Sequence, residues 1–111
     1  MTSYPKSVKV GEGAYGCVHL PSLPCTIVPE VPGFNYSDYV SKLMKNKHAD
    51  LELSEYTLLN RIDPTNKYHL GTPLQCNPNI EDEEVRQAIN ECKNLNKEDV
   101  FRNIVKYKLI I

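Results

Sequence analysis

The chain has no long hydrophobic run. None of its apolar stretches approaches the roughly 20 residues that a membrane-spanning helix needs. The N-terminus also lacks the basic and then apolar pattern of a secretory signal. Basic residues are not in excess, because 13 Lys and Arg stand against 14 Asp and Glu. No strongly basic face is available for nucleic acid or an anionic membrane, so neither is expected as a partner. These absences predict an intracellular protein.

Cysteines are few, and their spacing carries no metal motif. The four cysteines form no CxxC and no close Cys/His pair of the kind that zinc sites use. Disulfides need an oxidising compartment, and no secretory signal points to one, so we expect free thiols and no metal. Cys17 keeps two interpretations: a small strand residue, or a thiolate favoured by nearby backbone N–H groups.

Glycine is scarce too, but three of the five glycines lie between residues 11 and 16. Residues 11–18 read GEGAYGCV, a GxGxxGxV string. Alternating apolar residues flank it, Val8 and Val10 before it, Val18 and Leu20 after it, which predicts a strand, a tight turn and a second strand. Glycines without Cβ atoms let the backbone N–H groups of such a turn approach phosphate oxygens. Prolines after the string exclude the strand-to-helix turn of a dinucleotide site.

The remaining pattern predicts one α+β domain spanning residues 1–111. Residues 21–37, with four prolines, predict a long loop, and residues 37–44 a strand. Helices are predicted over residues 46–62 and 78–93, and a helical turn over 97–103. Strands are predicted over residues 67–70, continuing at 74–76, and over 104–111. We therefore expect a twisted five-stranded antiparallel sheet, a helix packed after the third strand, and an extra helix between strands 4 and 5.

Lys42 and Glu55 are the predicted charged pair. At about 100° per residue, Glu55 lies at the centre of an apolar stripe of the first helix, formed by Leu51, Leu58, Leu59 and Ile62. A carboxylate on a buried face needs a cation, and Lys42 on the preceding strand can supply it. Glu52, at the edge of the same stripe, is the alternative partner. An ordinary surface salt bridge is the third possibility.

These segments resemble the N-terminal lobe of eukaryotic-type serine/threonine protein kinases over nearly the whole chain. The resemblance is carried by residues 11–18, by Val40-Ser41-Lys42 and by residues 55–59 (EYTLL). More narrowly, the chain is similar to serine/threonine kinases of large DNA viruses at residues 10–19 with 21–23, 40–44, 68–71 and 89–93. If viral, the protein is expected in the host cytoplasm or the virion.

The resemblance implies an ATP site. The glycine-rich loop would cover the phosphates, with Tyr15 at its tip; its members are Gly11, Glu12, Gly13, Ala14, Tyr15, Gly16 and Cys17. Val18 and Val40 would contact adenine, and the catalytic pair would be Lys42, which binds the α- and β-phosphates, and Glu55. Residues 109–111 would form the fifth strand that leads to the hinge. Mg²⁺ is expected only with a C-terminal lobe.

The chain contains no His-Arg-Asp and no Asp-Phe-Gly, the kinase segments that hold the catalytic base and the metal. We therefore expect no phosphoryl transfer by this chain alone, and ATP, a protein substrate and a C-lobe polypeptide as partners. The alternative is a stand-alone, non-catalytic kinase-like module that docks on another protein. A third possibility is an unrelated small α+β domain whose glycines only make a turn.

Overall fold

The computed structural model describes residues 6–14, 16–62 and 73–111. Five strands form one antiparallel sheet in the order β1-β2-β3-β5-β4. The strands are β1 (Val8–Glu12), β2 (Gly16–Leu20), β3 (Ser41–Lys45), β4 (Gln75–Cys76) and β5 (Tyr107–Ile110). The α-helices are α1 (Asn46–Ile62), α2 (Glu83–Asn90) and α3 (Lys97–Arg102). The predicted α+β fold, with its five-stranded antiparallel sheet and helices between the last two strands, is confirmed.

Most predicted elements are present, with shifted ends. α1 covers the predicted range, whereas α2 begins only after Asp82, whose carboxylate accepts a hydrogen bond from the Glu84 N–H at 2.9 Å and so caps the helix. Short 3₁₀ turns at Tyr36–Asp38 and Ile104–Lys106 delay the starts of β3 and β5. The strand predicted over residues 67–70 lies outside the described residues.

One face of the sheet is covered. Side chains alternate along a strand, and residues paired across strands share a face. The covered face consists of six fully buried residues, Cys17, His19, Ser41, Leu43, Tyr107 and Leu109. α2 and α3 pack on it through Val85, Ile89 and Val100. Burial of each such aliphatic side chain contributes about 1.5–3 kcal/mol, so this layer is the main core.

The other face, the open face, carries Gly16, Val18 and Lys42, and α1 packs on it near Met44 and Ile110. α1 packs there through Ala49, which is fully buried, and Leu53. β3 ends at Lys45 and α1 begins at Asn46, so no linker lets the helix turn freely about its axis.

This orientation overturns the predicted buried stripe of α1. Leu51, Leu58 and Ile62 are 68%, 57% and 72% exposed. At about 100° per residue they lie on the side of the helix opposite Ala49. The leucines predicted the wrong face: the small Ala49 fits against the sheet, so the side of α1 that carries Ala49 faces inward and the side that carries the leucines faces outward. The described helices include none long and apolar enough to cross a membrane.

The prediction of free thiols is wrong. Disulfides join Cys17 to Cys92 and Cys25 to Cys76, and the structure has no free cysteine. The first joins β2 to the segment after α2, and the second joins the 21–37 loop to β4. Sequence spacing did not reveal them, because partners separated by 75 and 51 residues meet only through the tertiary fold. Disulfides persist mainly in oxidising compartments, so the intracellular location stays a prediction.

Candidate functional site

The glycine string forms the predicted β-hairpin. β1 and β2 pair antiparallel, and the Gly13 N–H donates to the Gly16 carbonyl at 2.9 Å, closing the turn. Gly13 and Ala14 are exposed at the described part of the tip, and Tyr15 lies outside the described residues. A Cβ on Gly13 would meet no atom within 4 Å. The tip is therefore accessible to a ligand from solvent.

Glu12 braces this turn from behind. Its carboxylate accepts hydrogen bonds from the backbone N–H groups of Lys93, at 2.8 Å, and Asn94, at 2.5 Å. The Asn94 side-chain amide in turn donates to the Gly13 carbonyl at 3.2 Å. Desolvation raises the pKa of Glu12, but the two backbone hydrogen bonds and Lys9 outweigh it and hold the pKa below its ordinary value. Glu12, predicted beside the nucleotide, thus has an internal partner that fixes the hairpin.

Lys42 lies at the centre of the open face. Its neighbours across the sheet are Val18 on β2 and Ile110 on β5. The side chain runs along Gly16, where a Cβ would come within 2.8 Å of Lys42 Cε and 3.3 Å of the Leu43 carbonyl oxygen. The absence of a side chain at Gly16 therefore gives the lysine its path toward the glycine turn.

The carboxylate beside Lys42 is Glu52, not the predicted Glu55. Lys42 Nζ lies 3.3 Å from Glu52 Oε2, and both side chains are partly exposed. Glu55 is exposed. Relative to the buried Ala49, position 52 is rotated by about 60° and position 55 by about 120°, so Glu52 lies closer to the sheet. In this structure Lys42 therefore pairs with Glu52, the alternative that the sequence left open, and the Lys42–Glu55 pair of a complete kinase stays a prediction.

Val18, one of the two predicted adenine contacts, lies on the open face beside Lys42. Val18 is partly buried directly across from Lys42, and Val40, two residues before it, is 50% exposed. Val8 and Leu20, paired across β1 and β2, are 51% and 46% exposed. Gly11 pairs with Val18 at the edge of the same surface. A patch of apolar side chains and one cation is thus accessible to solvent, as a nucleotide base and its phosphates require.

Cys17 lies apart from this patch. It points to the covered face, is fully buried and is bonded to Cys92. The thiolate interpretation of Cys17 is therefore wrong for this disulfide-bonded form, and its side chain does not reach the surface that carries Lys42.

Sequence reasoning missed a second group of chemical interest, Cys17, His19 and Cys92. Their ligand atoms lie within 4.8 Å of one another, and all three residues are buried. The nitrogen His19 Nε2 is 2.9 Å from the Ala88 carbonyl oxygen, whereas Nδ1 has no hydrogen-bond partner among the described residues. Desolvation lowers the pKa of His19, with Ala88 and Glu91 acting in the opposite direction. The C-x-H spacing on one strand was the available signal, since residues 17 and 19 share a face.

An apolar groove of about 1050 Å³ lies away from the glycine turn. It is formed by residues 26–31 of the long loop, the chain around β4, and Ile104 and Val105. Ile27 and Val105 are 80% and 75% exposed there. Among the described residues, those predicted to bind ATP do not line this groove, so it is separate from the described part of the candidate nucleotide site.

Comparison of the chain with family models, curated proteins and solved structures finds no significant match. The arrangement of this chain's own residues is therefore the basis on which a function is proposed.

Proposed function

We propose that the chain is the ATP-binding half of a serine/threonine protein kinase, completed by a C-terminal lobe. The observation that carries this proposal is the position of Lys42. It lies on the third strand, across from Val18, beside the glycine turn and 3.3 Å from a carboxylate of the next helix. In a protein kinase, a glycine-rich loop and a lysine on β3 contact the ATP phosphates, and a glutamate on the following helix pairs with that lysine.

Each part has a physical role in this proposal. The turn between β1 and β2 lies over the ATP phosphates and presents backbone N–H groups to their oxygens. Lys42 binds the α- and β-phosphates, and its charge is oriented by Glu52. Val18 and Val40 contact the adenine ring on the open face. Such groups position the nucleotide and stabilise charge, which is most of what phosphoryl transfer requires of a protein.

Mg²⁺ would neutralise charge on the transferred phosphates in the complete enzyme. Within the described ranges, the only group of three or more metal-ligating side chains is Cys17, His19 and Cys92, which offers no carboxylate. Hard cations such as Mg²⁺ prefer oxygen ligands. In this proposal the C-lobe therefore supplies the Mg²⁺ ligands, and also the base and the protein-substrate site.

The alternative is a stand-alone, non-catalytic kinase-like module. The outer face of α1 favours it, because Leu51, Leu58 and Ile62 are all exposed on one side of the helix. An exposed apolar stripe of this kind suits a protein partner. The two functions differ in whether Lys42 binds nucleotide.

Titration of the 111-residue chain with ATP, followed by amide chemical shifts, tests the proposal. We expect weak binding with shifts in the glycine turn and β3. Lys42→Met should weaken binding at least tenfold, since a charge-assisted hydrogen bond contributes about 1.5–3 kcal/mol. Lys108→Met is the matched control, because Lys108 also lies on the open face and pairs with an α1 carboxylate, Asp50, at 3.0 Å. Equal losses in both variants, or no ATP shifts at all, would contradict the nucleotide role and leave the docking module.

Glu52 and Glu55 need their own comparison. In the chain completed by a C-lobe polypeptide, Glu52→Gln should reduce phosphoryl transfer to a protein substrate, because Lys42 loses its partner. Glu55→Gln, an exposed substitution on the same helix, is the control and should have the smaller effect. The opposite order would show that α1 turns in the complete enzyme. The isolated chain should give no transfer from radiolabelled ATP, and turnover abolished by Lys42→Met would contradict the need for a C-lobe.

A further inference from the structure

The covered face contains a histidine whose surroundings leave one nitrogen without a partner. His19 is fully buried, and its Nε2 lies 2.9 Å from the Ala88 carbonyl oxygen. A carbonyl oxygen only accepts, so the ring proton is on Nε2 and a lone pair is on Nδ1. That lone pair has no hydrogen-bond partner in the described structure. A buried acceptor without a partner is costly, and it requires an explanation.

Two sulfur atoms lie beside this ring. The Sγ atoms of Cys17 and Cys92 and one ring nitrogen of His19 lie within 4.8 Å of one another, and the Cα atoms of the two cysteines are 6.1 Å apart. Zinc binds thiolate at about 2.3 Å and imidazole nitrogen at about 2.0 Å, so in tetrahedral coordination two thiolates lie about 3.8 Å apart and a thiolate and an imidazole nitrogen about 3.5 Å apart. Once the S–S bond is broken, the three ligand atoms reach these separations by changes of about 1–2 Å.

We infer that, once the Cys17–Cys92 bond is reduced, Cys17, Cys92 and His19 Nδ1 bind one thiophilic divalent cation such as Zn²⁺. A thiol reductant supplies two electrons and two protons, becomes a disulfide itself, and converts the bridge into two thiols. The cation then displaces both thiol protons, and two metal–sulfur bonds form. The inference does not depend on the proposed kinase role.

The surroundings suit such an ion. Two thiolates neutralise the charge of a divalent cation, so the buried site carries no net charge. The Nε2–H bond to Ala88 is the second contact that ligating histidines ordinarily make, because it fixes the tautomer and the ring orientation.

The second disulfide is an internal control. Cys25 and Cys76 belong to no group of three metal-ligating side chains among the residues that the structure describes. A reduced protein that merely offered four thiols would bind a cation through either pair. A site built on the covered face requires only the pair beside His19.

Cobalt(II) titration of the full chain, reduced with a phosphine under anaerobic conditions, tests the inference. Phosphine reduction consumes one water and gives two thiols and a phosphine oxide. We expect one Co²⁺ per chain, with thiolate-to-cobalt charge-transfer bands and the intense visible bands of tetrahedral coordination, both lost on addition of Zn²⁺. Cys25→Ser/Cys76→Ser should leave these spectra unchanged, and Cys17→Ser should abolish them.

His19→Gln separates the site from general folding. The glutamine amide can still donate to the Ala88 carbonyl, but it lacks the imidazole Nδ1. We expect a native-like circular dichroism spectrum and Co²⁺ affinity reduced at least tenfold, in line with loss of one metal ligand. Undiminished affinity in His19→Gln would overturn the inference. Loss of Co²⁺ binding in Cys25→Ser/Cys76→Ser would also overturn it, as would retention of Co²⁺ binding in Cys17→Ser. These outcomes decide the inference whether or not each variant is fully folded.

Discussion

Removal of the disulfides is the most direct perturbation of the covered face. A crosslink stabilises mainly by restricting the unfolded chain. For the Cys17–Cys92 bridge, across 75 residues, the entropy model gives about 4.5 kcal/mol, and for Cys25–Cys76, across 51 residues, about 4 kcal/mol, each considered alone. A domain of this size is stable by about 5–15 kcal/mol, so the two bridges together account for a large share of the free energy of unfolding.

The two bridges are nested, and nesting changes the expected numbers. With Cys17–Cys92 closed, Cys25 and Cys76 are already joined by a second, much shorter path through the outer bridge. Closing the inner loop then restricts the unfolded chain less than it would alone, and contributes only about 3 kcal/mol to the free energy of unfolding. Each double alanine variant should therefore lose about 3 kcal/mol. Replacing all four cysteines should lower the free energy of unfolding by more than the sum of the losses in the two double alanine variants.

Urea unfolding of the oxidised chain and of both alanine pairs is the assay. At a slope of about 2 kcal/mol per molar urea, a loss of 3 kcal/mol lowers the midpoint by about 1.5 M. Peptide mapping without reduction should recover the two linked pairs. Four titratable thiols in the native protein, with a midpoint that phosphine does not change, would refute the pairing and restore the free-thiol prediction.

Three further predictions concern single side chains. Because the folded pKa of Glu12 is below its ordinary value of 4.5, the stability that Glu12 contributes is present above that pH and is lost as the pH falls below it. In Glu12→Gln, the urea midpoint should no longer show this decrease at acid pH. A pH profile identical to that of the unchanged chain would contradict the role of Glu12 in holding the turn. Gly16→Ala should displace the Lys42 side chain, whose Cε would lie 2.8 Å from the new Cβ; an unshifted Lys42 Nζ resonance would contradict this. Desolvation and then the 2.6 Å hydrogen bond from the Tyr107 hydroxyl to Asp99 Oδ2 raise the pKa of Tyr107 to about 12. The stability that this group contributes is therefore lost between pH 10 and 12. Asp99→Asn should lower the pKa of Tyr107 in an NMR titration, and an unchanged pKa would contradict the contact.

Local signals in the sequence predicted most of the described elements, but not which faces they bury or which side chains they pair. The hairpin follows from glycines between alternating strands, and α1 was predicted to the residue from its uninterrupted helical pattern. The inward face of α1 was mispredicted because the leucines outnumber Ala49, whose small size decides the contact with Met44 and Ile110. Glu52 replaced Glu55 for the same reason, since both positions turn with the helix.

Neighbouring residues of β2 have different surroundings because they lie on opposite faces of the sheet. Cys17 and His19 point into the layer that α2 and α3 cover, where every contact contributes to stability or to the inferred metal site. Gly16 and Val18 point the other way, toward Lys42 and solvent. Glu12 links the layers, since its bonds to residues 93 and 94 hold the glycine turn to the covered side while the tip stays exposed. A turn fixed from behind loses less conformational entropy when a ligand binds in front, because its backbone is already ordered. Weakening the brace at Glu12 should therefore reduce ligand affinity at the turn without altering any group that touches the ligand.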